Sequence, residues 1–250
     1  MIIFYIRHGD PIYEPDSLTP LGEEQAQAVA RRLALYGVDE IYSSTSNRAI
    51  QTARPTAELL SKEITPLDFL NENYLDSLKL KAPDGSYMWL WSHPEYSKIL
   101  CSREVRKLGD LWHTHPSLKE HHFDAVIEPI NAQQDAFIAS LGYEHDREKG
   151  LYKINSRNAE KRIAIFAHEC IGKIFMSHLL DIPFPLYAEH FEMHTSAMSV
   201  IEFDDGTLKE RKKDPFEYAR ARVLSLSNDS HLYRDGISLN HRFTQIRELY

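Results

Sequence analysis

The chain has few cysteines, no long hydrophobic run and no long run of basic residues. Its two cysteines, Cys101 and Cys170, are far apart in sequence, so they form no disulfide framework and fit a reducing compartment. The apolar start of the chain ends at Arg7, too early for a signal peptide and far too short for a membrane span. A net charge of -8 without a basic stripe disfavours nucleic acid and anionic membranes as partners. We therefore expect a cytoplasmic protein.

The composition is otherwise ordinary for a soluble globular protein. Apolar residues make up 42% and charged residues 26% of the 250 residues. A chain of this length accommodates one complete α/β core, or such a core with a sizeable insertion.

Strand and helix patterns alternate in the first part of the chain. The apolar run IIFYI at residues 2–6 predicts a buried strand. A helix is predicted after Thr19, a good N-cap, with Pro20 at its first position and Gly37 beyond its end. The segment VDEIYSS predicts a further strand, and RIAIFAHE at 162–169 returns to the strand pattern. This alternation predicts a three-layer α/β/α fold with a mainly parallel sheet.

The alternation lapses between about residues 76 and 160. Two helical candidates, PEYSKILCSREVRKLGDLW and DAVIEPINAQQDAFIASLGY, flank a histidine-rich segment. They predict an inserted helical cap region over the carboxyl edge of the sheet. The tail at 215–250 has weak periodicity and is predicted to be a C-terminal appendage. We therefore predict a single domain over residues 1–250 with these two additions.

Two strands of the predicted sheet each end in a histidine. His8 follows IIFYIR, and His168 follows RIAIFA. We expect them to lie together, because ligands in α/β proteins bind at the carboxyl edge of the sheet. Arg7 ends the first strand, and Arg48 falls in the first turn of a helix. Arginine binds phosphate oxygens bidentately, so this grouping in an acidic protein predicts a phosphate site.

Five motifs together resemble the histidine phosphatase superfamily, also called the phosphoglycerate mutase-like family. They are RHG after the first strand, LTPLGEEQA at the first helix, SSTSNRAIQTA, LNEN and FAHE, and they occur in the order and spacing of that family. The resemblance covers about residues 1–75 and 160–205. It implies a fold of the predicted type and a site that handles phosphate esters.

The resemblance also implies a role for each residue of the phosphate site. His8 would be the phosphorylated nucleophile, Glu72 the proton donor, and the groups that hold the phosphoryl oxygens would be Arg7, Arg48 and His168. The chemistry is consistent, since a neutral imidazole whose Nδ1 is held by a carbonyl can attack with its other nitrogen. Asp76 lies close to Glu72 in sequence and competes with it for the acid role.

Two acidic residues depart from the family pattern. Asp10 directly follows RHG, so it must point away from a bound phosphate. Glu169 follows the second histidine, where the family usually has glycine, and is expected to meet an arginine or a positive part of the substrate. Trp89, in the inserted region, either lines the substrate pocket or fills the core of that region.

No metal or cofactor is predicted. The histidines of the inserted region lack the spacing of a recognised zinc site and have no cysteine beside them; they are His113, His115, His121 and His122. The resemblance thus implies a metal-independent phosphomonoesterase of the histidine acid phosphatase type, acting on a small phosphomonoester through a phosphohistidine. The alternatives are a phosphoglycerate-type mutase, which has the same core residues, and a non-catalytic phosphate-binding module.

Overall fold

The fold is organised around one large sheet whose strands come from distant parts of the chain. The structure, a computed structural model, describes residues 1–82, 85–206 and 217–238. The strands are β1 (Ile2–Arg7), β2 (Pro11–Ile12), β3 (Ser17–Leu18), β4 (Glu40–Ser43), β5 (Ile64–Pro66), β6 (Lys79–Lys81), β7 (Tyr87–Trp89), β8 (Tyr143–Asp146), β9 (Leu151–Ile154), β10 (Arg162–Ala167), β11 (Met198–Asp204) and β12 (Tyr218–Asn228). The α-helices are α1 (Pro20–Tyr36), α2 (Asn47–Leu60), α3 (Pro94–Leu100), α4 (Arg103–Leu108), α5 (Phe123–Ser140), α6 (Glu169–Leu179), α7 (Phe184–His190) and α8 (Ser230–Asp235). Short 3-10 helices span Asp68–Leu70, Glu72–Leu78, Leu90–Ser92, Gly109–Thr114 and Lys119–His121.

Within the described residues the large sheet has eight strands in the order β5-β4-β10-β1-β11-β12-β9-β8. The pairs from β5 through β1 are parallel, and those from β1 through β8 are antiparallel. The prediction of a mainly parallel sheet therefore holds for only one half. The other half is antiparallel in part because β8 and β9 form a hairpin, whose connection is too short for a parallel crossover.

Helices cover both faces of the sheet, so the predicted three-layer α/β/α fold is confirmed. Alternate residues of β1 point to opposite faces. Phe4 and Ile6 pack with Val29 of α1 and Ala53 of α2. Ile3 and Tyr5 join the larger core, which includes Ile174 and Phe175 of α6 and Phe137 of α5. None of the described helices is both long enough and apolar enough to cross a membrane.

The loop after β1 lies against the start of α1, and two glycines permit this contact. A Cβ atom on Gly9 would lie 2.6 Å from the carbonyl oxygen of Gly22, and one on Gly22 would lie 2.3 Å from that of Asp10. The helix begins as predicted, with Thr19 accepting a hydrogen bond from the Gly22 N–H and Pro20 at its first position. The loop that carries His8 is therefore held close to α1.

The insertion and the appendage are more closely joined to the sheet than the sequence indicates. The region 76–160 contains α3, α4 and α5, but also β8 and β9, which extend the main sheet. Likewise β12, inside the predicted appendage, pairs with β11 and β9. Because these strands are partly exposed, their hydrophobic pattern is weak and does not indicate that they belong to the main sheet. Residues 215–216 and 239–250 of the predicted appendage lie outside the described residues.

Candidate active site

The two predicted histidines lie side by side at the carboxyl edge of the sheet. β1 and β10 are neighbouring parallel strands in which Arg7 is opposite Ala167, so the residues that follow them share one edge. The ring centroids of His8 and His168 are 5.1 Å apart. Both side chains are buried, because the edge is enclosed by the loops that follow the strands.

The protonation state of His8 follows from its contacts. Its Nδ1 lies 2.7 Å from the carbonyl oxygen of Gly9. Since a carbonyl can only accept a hydrogen bond, Nδ1 carries the proton and Nε2 has a free lone pair. Burial, followed by the positive charges of Arg7 and Arg48, lowers the pKa of His8 well below its ordinary value. His8 is therefore a neutral imidazole with an unprotonated Nε2 at neutral pH.

His168 is held in the opposite tautomer. Its Nδ1 accepts a hydrogen bond of 2.9 Å from Nη2 of Arg48, which can only donate. Its Nε2 therefore carries the proton and faces the hydroxyls of Ser44 at 2.9 Å and Ser46 at 3.1 Å. Burial, with the nearby His8 and the two arginines, lowers the pKa of His168 well below its ordinary value.

Both arginines are tied by part of their guanidinium groups. Nη1 of Arg48 lies 2.8 Å from Oδ1 of Asp16, and Nη1 of Arg7 donates to the Glu169 carboxylate and the Met193 carbonyl. The Nε atoms of Arg7 and Arg48 are buried and have no hydrogen-bond partner among the described residues. Buried donors are normally satisfied, so these two N–H groups near His8 are suited to donate to the oxygens of an anionic ligand.

Glu72 is the carboxylate that borders the two histidines. Its Oε1 accepts a 2.9 Å hydrogen bond from the Cys170 N–H, in the first turn of α6. Its Oε2 lies 3.5 Å from Nη2 of Arg48 and 3.9 Å from Nδ1 of His168. Asp76 instead pairs with Lys79 at 2.7 Å, with its side chain 60% exposed. Of the two candidate proton donors, Glu72 is therefore the one that lies beside Arg48 and His168.

Asp10 and Glu169, the two acidic residues that depart from the family pattern, have different surroundings. The Asp10 carboxylate accepts a 2.7 Å hydrogen bond from the Thr19 hydroxyl, which directs it toward the start of α1. Glu169 pairs with Arg7 and lies 3.6 Å from Nζ of Lys173. Burial, and next the neighbouring Glu192 carboxylate, raise the pKa of Glu169 to about 7, against the opposing effect of Arg7. The sequence-based expectation that Glu169 meets an arginine thus matches this contact.

Trp89 has its ring contacts within the inserted region. Its ring stacks on that of Trp91 with centroids 5.3 Å apart, and the Lys79 ammonium lies 4.7 Å from its centroid. Trp91 in turn packs edge-on against Phe184. The place of Trp89 in the substrate pocket therefore stays a prediction.

Several residues around the cluster were not singled out in the sequence. Ser44 and Ser46 orient His168, and Asp16 anchors Arg48 and accepts the Asn47 N–H at the start of α2. Thr52 accepts a 3.0 Å hydrogen bond from the Gly9 N–H. The serines and Thr52 lie inside the SSTSNRAIQTA motif, so a closer examination of that motif would have indicated them. Asp16 has no comparable sequence signal, because its contact depends on the path of a loop.

Comparison with known proteins agrees with this architecture. Residues 3–86 match the family model of the histidine phosphatase superfamily (branch 1). The phosphoserine phosphatase of Entamoeba histolytica, solved with phosphoserine, has 19% identity and a TM-score of 0.57, covering 92% of this chain and 98% of that one. The mycobacterial glucosyl-3-phosphoglycerate phosphatase has 16% identity and a TM-score of 0.56, with 90% and 98% covered.

A third structure, the alpha-ribazole phosphatase of Shigella flexneri, has 19% identity and a TM-score of 0.52, with 92% of this chain and 97% of that chain covered. No curated protein matches the sequence significantly. The family match confirms the resemblance over residues 3–86, which contain four of the five motifs, and the solved structures share the fold of the chain.

Proposed function

Because residues 3–86 carry the sequence pattern of the histidine phosphatase superfamily and the chain has the fold of its phosphatases, we propose that this protein is a phosphatase. It would hydrolyse a small phosphomonoester through a phosphohistidine intermediate on His8. The observation that carries the proposal is the state of His8. A neutral imidazole with a free Nε2 lies near two arginines whose buried Nε groups have no hydrogen-bond partner in the part of the chain that the structure describes.

The proposed reaction has two steps at phosphorus. In the first, Nε2 of His8 forms a bond to phosphorus as the ester P–O bond breaks. In the second, water attacks the phosphohistidine, the N–P bond breaks and inorganic phosphate leaves. The guanidinium groups of Arg7 and Arg48 would bind the phosphoryl oxygens and stabilise the charge on them in both steps. This chemistry requires no metal ion, since the protein itself supplies the positive charge.

The contacts of Glu72 suit a proton-transfer role. Its carboxylate borders the cluster and is held by the Cys170 N–H, so its position is fixed relative to His168. We propose that it protonates the leaving oxygen in the first step and takes a proton from the attacking water in the second.

His168 and Glu169 complete the proposed substrate site. We propose that His168 contributes to the phosphate site together with Arg48, whose Nη2 donates to its Nδ1. Glu169 restrains Arg7 and adds a carboxylate next to the phosphate cage, the group formed by His8, His168, Arg7 and Arg48. This carboxylate favours a substrate with a positive or hydrogen-bond-donating group near its phosphate. Structural relatives were solved with phosphoserine and with 3-phosphoglyceric acid, and compounds of this size are the substrates to test first. The free cysteines are consistent with a cytoplasmic setting.

The first experiment measures turnover and covalent labelling. The wild-type protein should release phosphate from nitrophenyl phosphate and should acquire an acid-labile phosphoryl label. His8→Ala should abolish both, because the nucleophile is lost, whereas His113→Ala in the inserted region should leave both unchanged. A folded His8→Ala variant that retains most of the activity would exclude this mechanism.

The same preparation distinguishes the alternative reactions. Incubation with 3-phosphoglycerate should give free phosphate if the protein is a phosphatase, and 2-phosphoglycerate if it is a mutase. Absence of labelling and of turnover on every phosphomonoester tested, together with tight phosphate binding, would instead indicate a phosphate-binding module.

A further inference from the structure

A second group of titratable side chains lies at the far end of α6, away from His8. His178 is in the last turn of α6, Asp135 is on α5 and His145 is on β8. Nδ1 of His145 is 3.0 Å from Oδ1 of Asp135, and Nε2 of His178 is 2.7 Å from the same oxygen. One ligand atom from each of the three residues can be chosen so that all lie within 4.8 Å of one another.

These three groups have the donor set and the supporting contacts of a transition-metal site. Two imidazole nitrogens with one carboxylate oxygen suit zinc, and three protein ligands leave a fourth position open. The other nitrogen of His145 is 3.1 Å from Oδ2 of Asp181, the carboxylate–histidine contact that orients metal-binding histidines. Oδ2 of Asp135 is likewise 3.1 Å from Nη2 of Arg147, which leaves Oδ1 for an ion.

The histidine rings are held in place by packing. The His145 ring stacks on Tyr152 with centroids 4.5 Å apart, and its side chain is only 1% exposed. Both of its nitrogens face carboxylates, Nδ1 that of Asp135 and Nε2 that of Asp181. The orientation of the His145 ring is therefore fixed, with Nδ1 directed at Asp135.

An unpaired polar atom on the adjacent cavity wall supports an open ligand position. Asn131 is one turn before Asp135 on α5, is 6% exposed, and its Oδ1 has no hydrogen-bond partner among the described residues. It lines the same cavity as His178 and Asp181. Other acidic residues on this wall, with Arg147 as their counter-charge, would favour entry of a cation; they are Asp110, Asp124 and Glu128.

We propose that Oδ1 of Asp135, Nδ1 of His145 and Nε2 of His178 form a binding site for Zn²⁺, with Asn131 holding a water at the fourth position. His178 is ten positions after His168, the N-cap of α6, which places this site roughly 15 Å from the phosphate cage at the helical rise of about 1.5 Å per residue. It therefore joins the inserted region to α6 rather than taking part in phosphoryl transfer. The sequence gives little sign of it, since the three ligands come from separate elements.

The test is calorimetric titration of Zn²⁺ into the full chain after treatment with a chelator. The wild-type protein should bind one ion and melt at a higher temperature with zinc than without it. His178→Gln should weaken binding by more than the roughly 10- to 100-fold that loss of an outer-shell partner costs. The loss of zinc affinity in Asp181→Asn should fall within that range, because this variant removes only the hydrogen-bond partner of His145.

Two control variants test whether zinc binding depends on histidines outside this site. His8→Gln removes a histidine of the phosphate cage, and His113→Gln removes one from the wall of the same cavity; both should bind zinc as the wild type does. Wild-type affinity in folded His178→Gln, or loss of binding in His8→Gln alone, would overturn the proposal. If His178→Gln does not fold, an unchanged affinity in Asp181→Asn, or no zinc binding by the wild type, would overturn it equally.

Discussion

At the residue scale, the site depends on hydrogen-bonding states that differ between two chemically identical side chains. His8 bonds the Gly9 carbonyl through Nδ1, whereas His168 accepts from Arg48 at Nδ1 and donates from Nε2. The tautomer of His8 leaves the Nε2 lone pair free for nucleophilic attack, whereas both nitrogens of His168 are engaged in hydrogen bonds. The motifs RHG and FAHE predict that both histidines reach the site, but a tautomer depends on neighbours such as Ser44 that only the fold brings together.

Glu72 offers the sharpest test at this scale. A leaving alkoxide needs a proton donor, which contributes about 10²- to 10⁴-fold in rate, whereas nitrophenolate needs almost none. Glu72→Gln should therefore lose much more rate on an alkyl phosphate that the enzyme accepts than on nitrophenyl phosphate. The measurement is kcat/KM on both substrates, under conditions in which phosphoryl transfer to His8 is rate-limiting.

Asp76→Asn is the matched control for this experiment. Asp76 is four residues from Glu72 but pairs with Lys79 at the surface, so its variant should keep the wild-type rate on both substrates. Equal losses on the two substrates in Glu72→Gln would make it a structural or water-activating residue. A leaving-group-dependent loss in Asp76→Asn would transfer the acid role to that residue.

At the scale of elements, α6 connects the two sites described above. Its first turn bears Glu169 and the Cys170 N–H that holds Glu72, and its last turn bears His178. The sequence predicts this helix and the strand before it from their apolar pattern. It does not predict that β8 brings His145 next to His178, because β8 has few apolar residues and lies inside a region predicted to be helical.

The short helix α8 provides a prediction on pH dependence. Nε2 of His231 lies 2.8 Å from the Ser196 hydroxyl, and its Nδ1 lies 3.4 Å from Nη1 of Arg32 on α1. Burial and the Arg32 charge lower the pKa of His231 to about 4. Below about pH 6.5 His231 is protonated in the unfolded chain, whereas in the folded chain it stays neutral until the pH approaches 4. The stabilisation from neutral His231 is thus complete above pH 6.5 and is lost as pH falls toward 4.

His231→Gln should therefore reduce the acid sensitivity of the fold. Between pH 6.5 and 4 its free energy of unfolding should fall less than that of the wild type, by up to about 3 kcal/mol. Urea denaturation at a series of pH values gives both curves. His194→Gln is the control, and its effect on the acid sensitivity of the free energy of unfolding should have the opposite sign, because the hydrogen bond to Asp229 raises the pKa of His194. An equal acid-induced loss of stability in His231→Gln and the wild type would refute this role.

At the scale of the whole molecule, the sequence predicts the parallel half of the sheet better than the antiparallel half. β1 and β10 are apolar apart from Arg7 and Arg162, and each is followed by a histidine, so both their burial and their ligand edge can be predicted. β12 is only partly buried along most of its length, yet it joins β11 to β9. Its pattern resembles that of a surface segment, and its pairing depends on residues far away in sequence. Such long-range pairings explain why β12, which lies inside the predicted appendage, is part of the sheet.

The separation of the two proposed sites leads to a prediction about metal removal. The phosphate cage derives its positive charge from Arg7 and Arg48, and the proposed zinc ligands lie at the opposite end of α6. Extended chelation should therefore lower the melting temperature of protein isolated with zinc while leaving kcat on nitrophenyl phosphate unchanged well below that temperature. The two quantities can be measured on one sample before and after dialysis against a chelator, with zinc then restored. A large loss of kcat that zinc or magnesium restores would show that phosphoryl transfer itself depends on a metal, contrary to the charge distribution around His8.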